Sequence, residues 1–313
     1  SFKNWNIRPQ LLDYLPEKTA DNGIAQVFPA FDSGYWVMGL GSQNKRISAF
    51  FAYLSDRGEV KDVHEFRGEV IQNGMAVDKS GAYIVTDFAI YKFTHKPDGC
   101  LGLLWRNSYL RHEGNPKNGT ISEYGSGSSP TLFGSQDDLV AITDNAPRQI
   151  NLMVYDRFSG STVCKIPLFE PGKSANENTV IAYEDSVVAQ NWFGAKNLSE
   201  NMEGLAPGLV RYDIKPDRSG YTLRWSHPDF ASLATARLCT KTGLIYGTIQ
   251  VEQNRPIERY ATSFIDFRTG KTLRTIPIGA TQAYRIAMAP GYFLPGKRFI
   301  QPVRIGMVVI QPK

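Results

Sequence analysis

The chain has 313 residues, is 42% hydrophobic, 21% charged and 12% aromatic, and carries 28 glycines and 18 prolines, a globular composition amply supplied with turn residues. Its formal charge of +5 comes from scattered lysines and arginines with no stripe among them, which argues against a nucleic-acid partner, and no stretch nears the ~18 apolar residues of a membrane-spanning helix. Three cysteines, Cys100, Cys164 and Cys239, stand too far apart for a zinc motif, and their odd number leaves at least one free thiol whether or not two pair.

In chain order, residues 1–15 carry Phe2, Trp5 and Ile7 in imperfect alternation, with no sheet of their own nearby. A first four-stranded unit runs from Ile24 to Phe66, with Gly34–Leu40 as its second strand and an outer turn at Asp56-Arg57-Gly58. A second runs to Tyr109 with its outer turn at Pro97-Asp98-Gly99, and a polar connector, Arg111–Gly125, follows. The third unit, Gly125–Leu168, shows every turn. Ser129–Phe133 and Leu139–Thr143 are short apolar strands, Asp144-Asn145-Ala146-Pro147 stops the second, and Ile150–Arg157 returns through Ser159-Gly160 into Ser161–Leu168.

The fourth unit starts near Asn178 with strands Thr179–Tyr183 and Ser186–Asn191, then a polar insertion, Phe193–Pro207, and an outer turn at Pro216–Gly220. A fifth starts near Ala231 and turns at Asp266–Gly270. The last segment supplies three strands, Tyr284–Ala289, Tyr292–Phe299 and Ile305–Gln311. Outer hairpins recurring at roughly 40 to 60 residues are the mark of radially repeated four-stranded sheets. The expected fold is therefore all-β: a single β-propeller domain over residues 1–313, with about six four-stranded blades. An N-terminal strand would complete the last blade and leave no sheet edge open.

Gln72–Asp87, with Asn73 before Gly74, resembles the inner hairpin of the gluconolactonase and strictosidine-synthase-like propellers, whose asparagine lies at the channel mouth. The turn Thr269-Gly270-Lys271-Thr272-Leu273, the outer-strand Trp105 and Trp225, and Ser128-Ser129-Pro130-Thr131 ahead of Leu139–Asp144 look more like pyrroloquinoline-quinone-type repeats. The chain thus resembles the quinoprotein-like six-bladed propellers in architecture, which points to no specific family; function has to be argued from the site.

In such a ring the starts of inner strands and the return of the first hairpin converge on the axis. Aligning the repeats places there Asn22, Gln26, Asn73, Asp87, Ser129, Thr131, Asp144, Asn145, Glu177, Asn178, Asn191, Trp192, Thr235, Arg237, Gln282, Tyr284 and Arg285. For acid–base chemistry, Asp144 or Glu177 would act as base, Tyr284 as acid, and Arg237 or Arg285 would stabilise an oxyanion. Asn73, Asp87, Ser129, Asn145, Asn178, Asn191, Trp192 and Arg285 would contact the ligand. Asn73, Asp144 and Glu177 are also candidate oxygen ligands for a divalent cation such as calcium. Asp144-Asn145 is equally what a turn uses to bond its own backbone.

None of the four histidines falls at an inner-strand start, and Ser128-Ser129 lacks a nucleophile elbow. No quinone is expected, since Trp192 alone stands near an inner strand, and Trp105 and Trp225 read as packing between blades. Cys164 and Cys239 read as small buried hydrophobes. The start at Ser1 and the triplets Asn118-Gly119-Thr120 and Asn197-Leu198-Ser199 suggest an exported protein, secreted or periplasmic. The expectation is an exported propeller enzyme, a hydrolase, lyase or isomerase with or without a metal, acting on a small organic molecule in the central channel. The alternative is a non-catalytic propeller that binds a ligand or a protein, with Trp192, Phe193 and Tyr284 as an aromatic mouth.

Overall fold

Leu139–Thr143 (LVAIT) is buried at every residue, and so is Ser186–Gln190 (SVVAQ). A strand apolar on both faces needs cover on both faces, and neighbouring sheets packed around an axis supply it. Outer strands alternate instead: Thr162–Pro167 buries Cys164 and Ile166 and exposes Thr162, Lys165 and Pro167, as expected of a sheet edge wetted on one side.

A computed structural model describes residues 24–41, 48–112, 125–195, 205–251, 259–286 and 289–312. Blade 1 holds β1 (Ile24–Pro29), β2 (Tyr35–Gly39), β3 (Ala49–Leu54) and β4 (Val60–Phe66). Blade 2 holds β5 (Ala76–Asp78), β6 (Gly81–Val85), β7 (Ala89–His95) and β8 (Leu101–Ser108). Blade 3 holds β9 (Thr131–Phe133), β10 (Leu139–Thr143), β11 (Asn151–Asp156) and β12 (Thr162–Pro167). Blade 4 holds β13 (Ile181–Tyr183), β14 (Ser186–Gln190), β15 (Leu209–Ile214) and β16 (Tyr221–His227). Blade 5 holds β17 (Arg237–Cys239), β18 (Leu244–Val251), β19 (Arg259–Asp266) and β20 (Thr272–Ala280). Blade 6 holds β21 (Tyr292–Leu294), β22 (Arg298–Val303) and β23 (Gly306–Ile310). Each sheet pairs its strands antiparallel in chain order. The chain is a six-bladed β-propeller.

Two expectations in the last blade are corrected. Tyr284–Ala289 does not begin as a strand: Thr281, at φ 72, accepts a hydrogen bond from the Ala283 amide and starts a 3-10 turn over Gln282–Tyr284. The expected strand Tyr292–Phe299 is two strands, because Gly296 (φ 78) and Lys297 (φ 59) reverse the chain between β21 and β22. Blade 6 has three strands among the described residues. The expected closing strand in residues 1–15, Asn22, and most of the two long insertions lie outside them. No helix among the described residues is long and apolar enough to cross a membrane.

The core is a series of joints rather than one centre. Phe51, Phe66 and Met38 meet Ile84 and Phe93 between blades 1 and 2, Tyr83 and Trp105 meet Val140 and Tyr155 between blades 2 and 3, and Leu152 and Val154 meet Val187 and Val210 between blades 3 and 4. The outer tryptophans do pack between blades. Trp105 donates its indole N–H to the Arg157 carbonyl (3.2 Å) and Trp225 to that of Phe267 (2.8 Å). Each ring lies on a turn glycine of the next blade, Gly160 or Gly270, where an added Cβ would come within 2.6 Å of the indole. Both glycines also hold positive φ, 74 and 71, so glycine is required twice over. All three cysteines are free thiols, with Cys164 buried as expected and Cys239 half-buried.

Candidate functional site: the central cavity and its polar collar

The inner strands β5, β9 and β13 are only three residues long and half-exposed, because one face of each meets the axis instead of another sheet. Around that axis lies a cavity of about 610 Å³, lined by Ala76 of blade 2, Pro130, Thr131 and Leu132 of blade 3, and Thr179, Val180, Ile181 and Ala182 of blade 4. Thr235, Ala236, Arg237, Leu238 and Thr240 of blade 5 and Pro290 of blade 6 complete it. The volume suits a small organic molecule. Its wall is aliphatic carbon and threonine hydroxyl, and Arg237 is its single charged side chain among the described residues. The Arg237 guanidinium lies 5.9 Å from the ring centre of Tyr292 on the neighbouring blade.

Of the residues assigned catalytic or ligand-binding roles from sequence, Arg237 lines this cavity, and so do Thr131 and Thr235 from the wider alignment. The others form a collar where the connectors between blades arrive, and their polar atoms hold the ring together. The Asn73 amide donates to the Ser126 carbonyl (2.6 Å), and Ser129 Oγ accepts from the Gly74 amide (2.9 Å), so blades 2 and 3 are cross-bonded. Gln26 Oε1 accepts from the Met75 amide (3.1 Å) between blades 1 and 2. A relay continues round the ring. Thr143 Oγ1 donates to Asn176 Oδ1 (3.2 Å), Gln190 Nε2 to the Ser232 carbonyl (2.6 Å), and Thr248 Oγ1 to Gln301 Oε1 (3.0 Å). Asn178 Oδ1 accepts from Thr235 Oγ1 (2.8 Å).

Asp87, Asp144 and Asn191 follow the second strands of blades 2, 3 and 4, and each ties down nearby backbone. Asp87 Oδ1 accepts from the Val70 amide (2.8 Å), and its Oδ2 lies 3.9 Å from the Arg111 guanidinium. Asp144 Oδ1 accepts from the amides of Asn151 (2.6 Å) and Ala146 (3.2 Å), and Oδ2 from Asn151 Nδ2 (2.7 Å). Burial pushes the Asp144 carboxyl above the usual aspartate range, against these donors. Asn191 bonds the Ala175 and Phe193 amides and the Lys173 carbonyl. Asn145 donates its backbone N–H to Leu110 (3.1 Å) and is buried.

Glu177 is buried in the connector ahead of β13. Trp192 is fully buried and donates to the Leu233 carbonyl (3.2 Å), packed with Leu205, Tyr260 and Ile286 instead of opening to a mouth. Tyr284 packs on Gly279 beside the same cluster, and Arg285 is buried next to it.

Of the candidate calcium ligands, Asp144 fits poorly. Asp144 faces three N–H donors, which leave its oxygens little capacity for a cation. Among the described residues no three His, Cys, Asp or Glu side chains come together as metal ligands. The sequence reading missed Thr179, Ile181 and Thr240 on the cavity wall and Tyr292 beside Arg237. The signal was the first position of each inner strand, where Ala76, Thr131, Ile181, Arg237 and Tyr292 are equivalent.

No protein-family model matches the chain, and no curated protein matches it in sequence. Solved structures do match. A Bacteroides uniformis protein provisionally named 6-phosphogluconolactonase is 9% identical with a TM-score of 0.55, over 92% of this chain and 80% of its own. A Bacteroides fragilis protein with the same provisional name is 10% identical with a TM-score of 0.53, over 92% of this chain and 79% of its own. The Dos1 propeller is 13% identical with a TM-score of 0.54, over 88% of this chain and 64% of its own. At such identities the likeness is one of fold: this chain is similar to them in being a β-propeller.

Proposed function

We propose that this propeller binds a small organic molecule in its central cavity. One observation carries the reading: among the described residues the cavity presents hydroxyls and a single guanidinium but no carboxylate or imidazole, while the collar carboxylate Asp144 is taken up by backbone amides of its own blade, in the turn between β10 and β11. That favours the binding propeller over an enzyme with Asp144 or Glu177 as base and Tyr284 as acid, because general acid–base groups have to reach the reacting atoms. A panel of metabolites screened by thermal shift tests it. At least one compound is expected to raise the melting temperature of the native chain and to lose that effect in Ile181→Trp, which fills the cavity from the wall. Equal stabilisation of a folded Ile181→Trp protein overturns the reading.

Hydrolysis is the second reading, favoured by the provisional name of the two Bacteroides propellers. Among the described lining residues Arg237 is the charged group that would stabilise a developing oxyanion. Acid release from 6-phosphogluconolactone, lost in Arg237→Gln, is the assay. Export, secreted or periplasmic, belongs to the proposal on sequence grounds and is tested by fractionating cells that produce the full-length protein.

A further inference from the structure

The cavity's chemistry is one-sided. Among the described residues its one charged lining side chain is Arg237, which is exposed and forms no ion pair with a described acid, and whose guanidinium lies 5.9 Å from the centre of the Tyr292 ring. A guanidinium offers five N–H donors in a planar fork and accepts nothing. Thr131, on the blade 3 part of the wall, has a buried hydroxyl with no protein partner among the described residues. Asn178, whose carbonyl oxygen takes the Thr235 hydroxyl, keeps a buried Nδ2 without a partner next to Thr179. Unpaired buried donors are costly, so a native site that retains them has a use for them or a water on them. The nearest acid along the inner strands, Asp78 at the end of β5, is neutralised by Arg157 (2.7 Å) and bonded by Ser80 and Tyr83. A ligand that supplies acceptors and negative charge answers both Arg237 and Thr131 on the cavity wall; a cation or an acceptor-poor apolar compound answers neither.

We propose that the central cavity is an anion site, taking a small organic molecule whose carboxylate or phosphate group sits against Arg237 while its polar remainder meets the threonine wall. The proposal rests on the cavity being the ligand site. Arg237 fixes the charged end, bidentate contact to two oxygens giving the pose its direction. Threonine methyls and the Ile181 and Leu238 side chains suit the carbon skeleton.

Isothermal titration of the full chain tests it with citrate and gluconate as carboxylates, inorganic phosphate and 6-phosphogluconate as phosphates, and glucose and glucitol as neutral controls. At least one anion is expected to bind, with affinity falling as salt rises. Arg237→Gln is expected to weaken it 10-fold or more, and Arg237→Lys by less, since charge survives but the fork does not. Whether gluconate or phosphate binds better decides which anion the site prefers. Neutral sugars binding as tightly as anions, unaffected by Arg237→Gln but abolished by Ile181→Trp, overturn the anion assignment and leave the cavity reading standing. Anions that bind a folded Ile181→Trp protein undiminished overturn both. No binding by any of these anions at millimolar concentration also overturns it.

Discussion

The joints between blades 2 and 3 and between blades 1 and 2 follow one plan in different chemistry. In each, the outer hairpin of the later blade reaches an aspartate in the first turn of the earlier one. Arg157 bonds Asp78 at 2.7 Å with both side chains about nine-tenths buried, whereas His95 bonds Asp32 at 2.8 Å with 23% and 41% exposed. Arg218 and Asp138 repeat the plan between blades 4 and 3 at 2.6 Å. The outer-strand position differs too. Where Trp105 covers Gly160, the place against Gly99 is taken by Lys61, whose stem an added Cβ would meet at 2.7 Å. One joint is therefore closed by a buried indole and a guanidinium, the other by an aliphatic stem and an imidazole.

The largest expected effect is at the tryptophan. Trp105→Ala removes a buried indole and its bond to Arg157, and is expected to cost about 3–5 kcal/mol in urea unfolding. Lys61→Ala at the equivalent place is expected to stay within about 0.5 kcal/mol, as exposed substitutions do. Equal losses would mean the two joints are not built differently after all.

Arg157→Ala comes next, at about 3 kcal/mol, because it strands the Asp78 carboxylate in a buried setting. Lys92, also buried, donates to the Arg157 carbonyl at 2.8 Å. The double variant Asp78→Asn, Arg157→Ala is expected to recover part of the loss. A double variant less stable than Arg157→Ala alone would show that Asp78 is held chiefly by Ser80 and Tyr83.

These joints were legible in the sequence to the extent that their chemistry is local. Asp156 and Asp266 bond the amides of Ser159 and Thr269 three residues on, so the outer turns announced themselves and their repetition gave the ring. Trp105 and Trp225 were readable as packing because they recur at one position of that repeat. The collar was not readable. Asn73, Asn176 and Gln190 bond backbone on the neighbouring unit or across their own blade, and no spacing tells such an amide from one facing a ligand. Along an inner strand a two-residue error separates Ser129, which caps Gly74, from Thr131 on the cavity wall. Tyr292 was lost because Tyr284–Ala289 reads as the inner strand of the last blade, whereas the chain makes a 3-10 turn at Gln282–Tyr284 and the inner strand begins at Tyr292.

Asp144 tests where joint ends and site begins. Asp144→Asn keeps one carbonyl oxygen for the Asn151 and Ala146 amides but sets an amide nitrogen against Asn151 Nδ2, and is expected to cost about 1–2 kcal/mol with ligand affinity unchanged. Its carboxyl is held above the ordinary range by burial. The stability tied to its titration is therefore fully present below about pH 3.9 and is lost as pH rises through the higher folded value. The gap between native chain and amide variant is expected to narrow from pH 3 towards pH 7. A gap that widens, or a loss of ligand binding without loss of stability, would return Asp144 to the site.

The smallest effect separates the two joints by pH. Burial alone would raise the Asp32 carboxyl, but the Tyr53 hydroxyl (2.6 Å), the Gly34 amide and the charge of His95 outweigh it and hold it below its ordinary value. Asp78 is likewise lowered: Ser80, Tyr83 and Arg157 together overcome its burial. For a depressed carboxylate the contribution is present above about pH 3.9 and is lost as pH falls through the folded value. Both joints are thus expected to weaken in acid. Solvent screens Asp32, so its share is expected to be under about 0.5 kcal/mol, and the enclosed Asp78 pair should lose more. Urea midpoints at pH 6, 4.5 and 3 for the native chain, Asp32→Asn and Asp78→Asn measure this. Each native-minus-variant difference should shrink on acidification, with the Asp78 difference larger at pH 6. Two differences of equal size would show that burial does not set the strength of this contact, and that histidine serves the first joint as well as arginine serves the second.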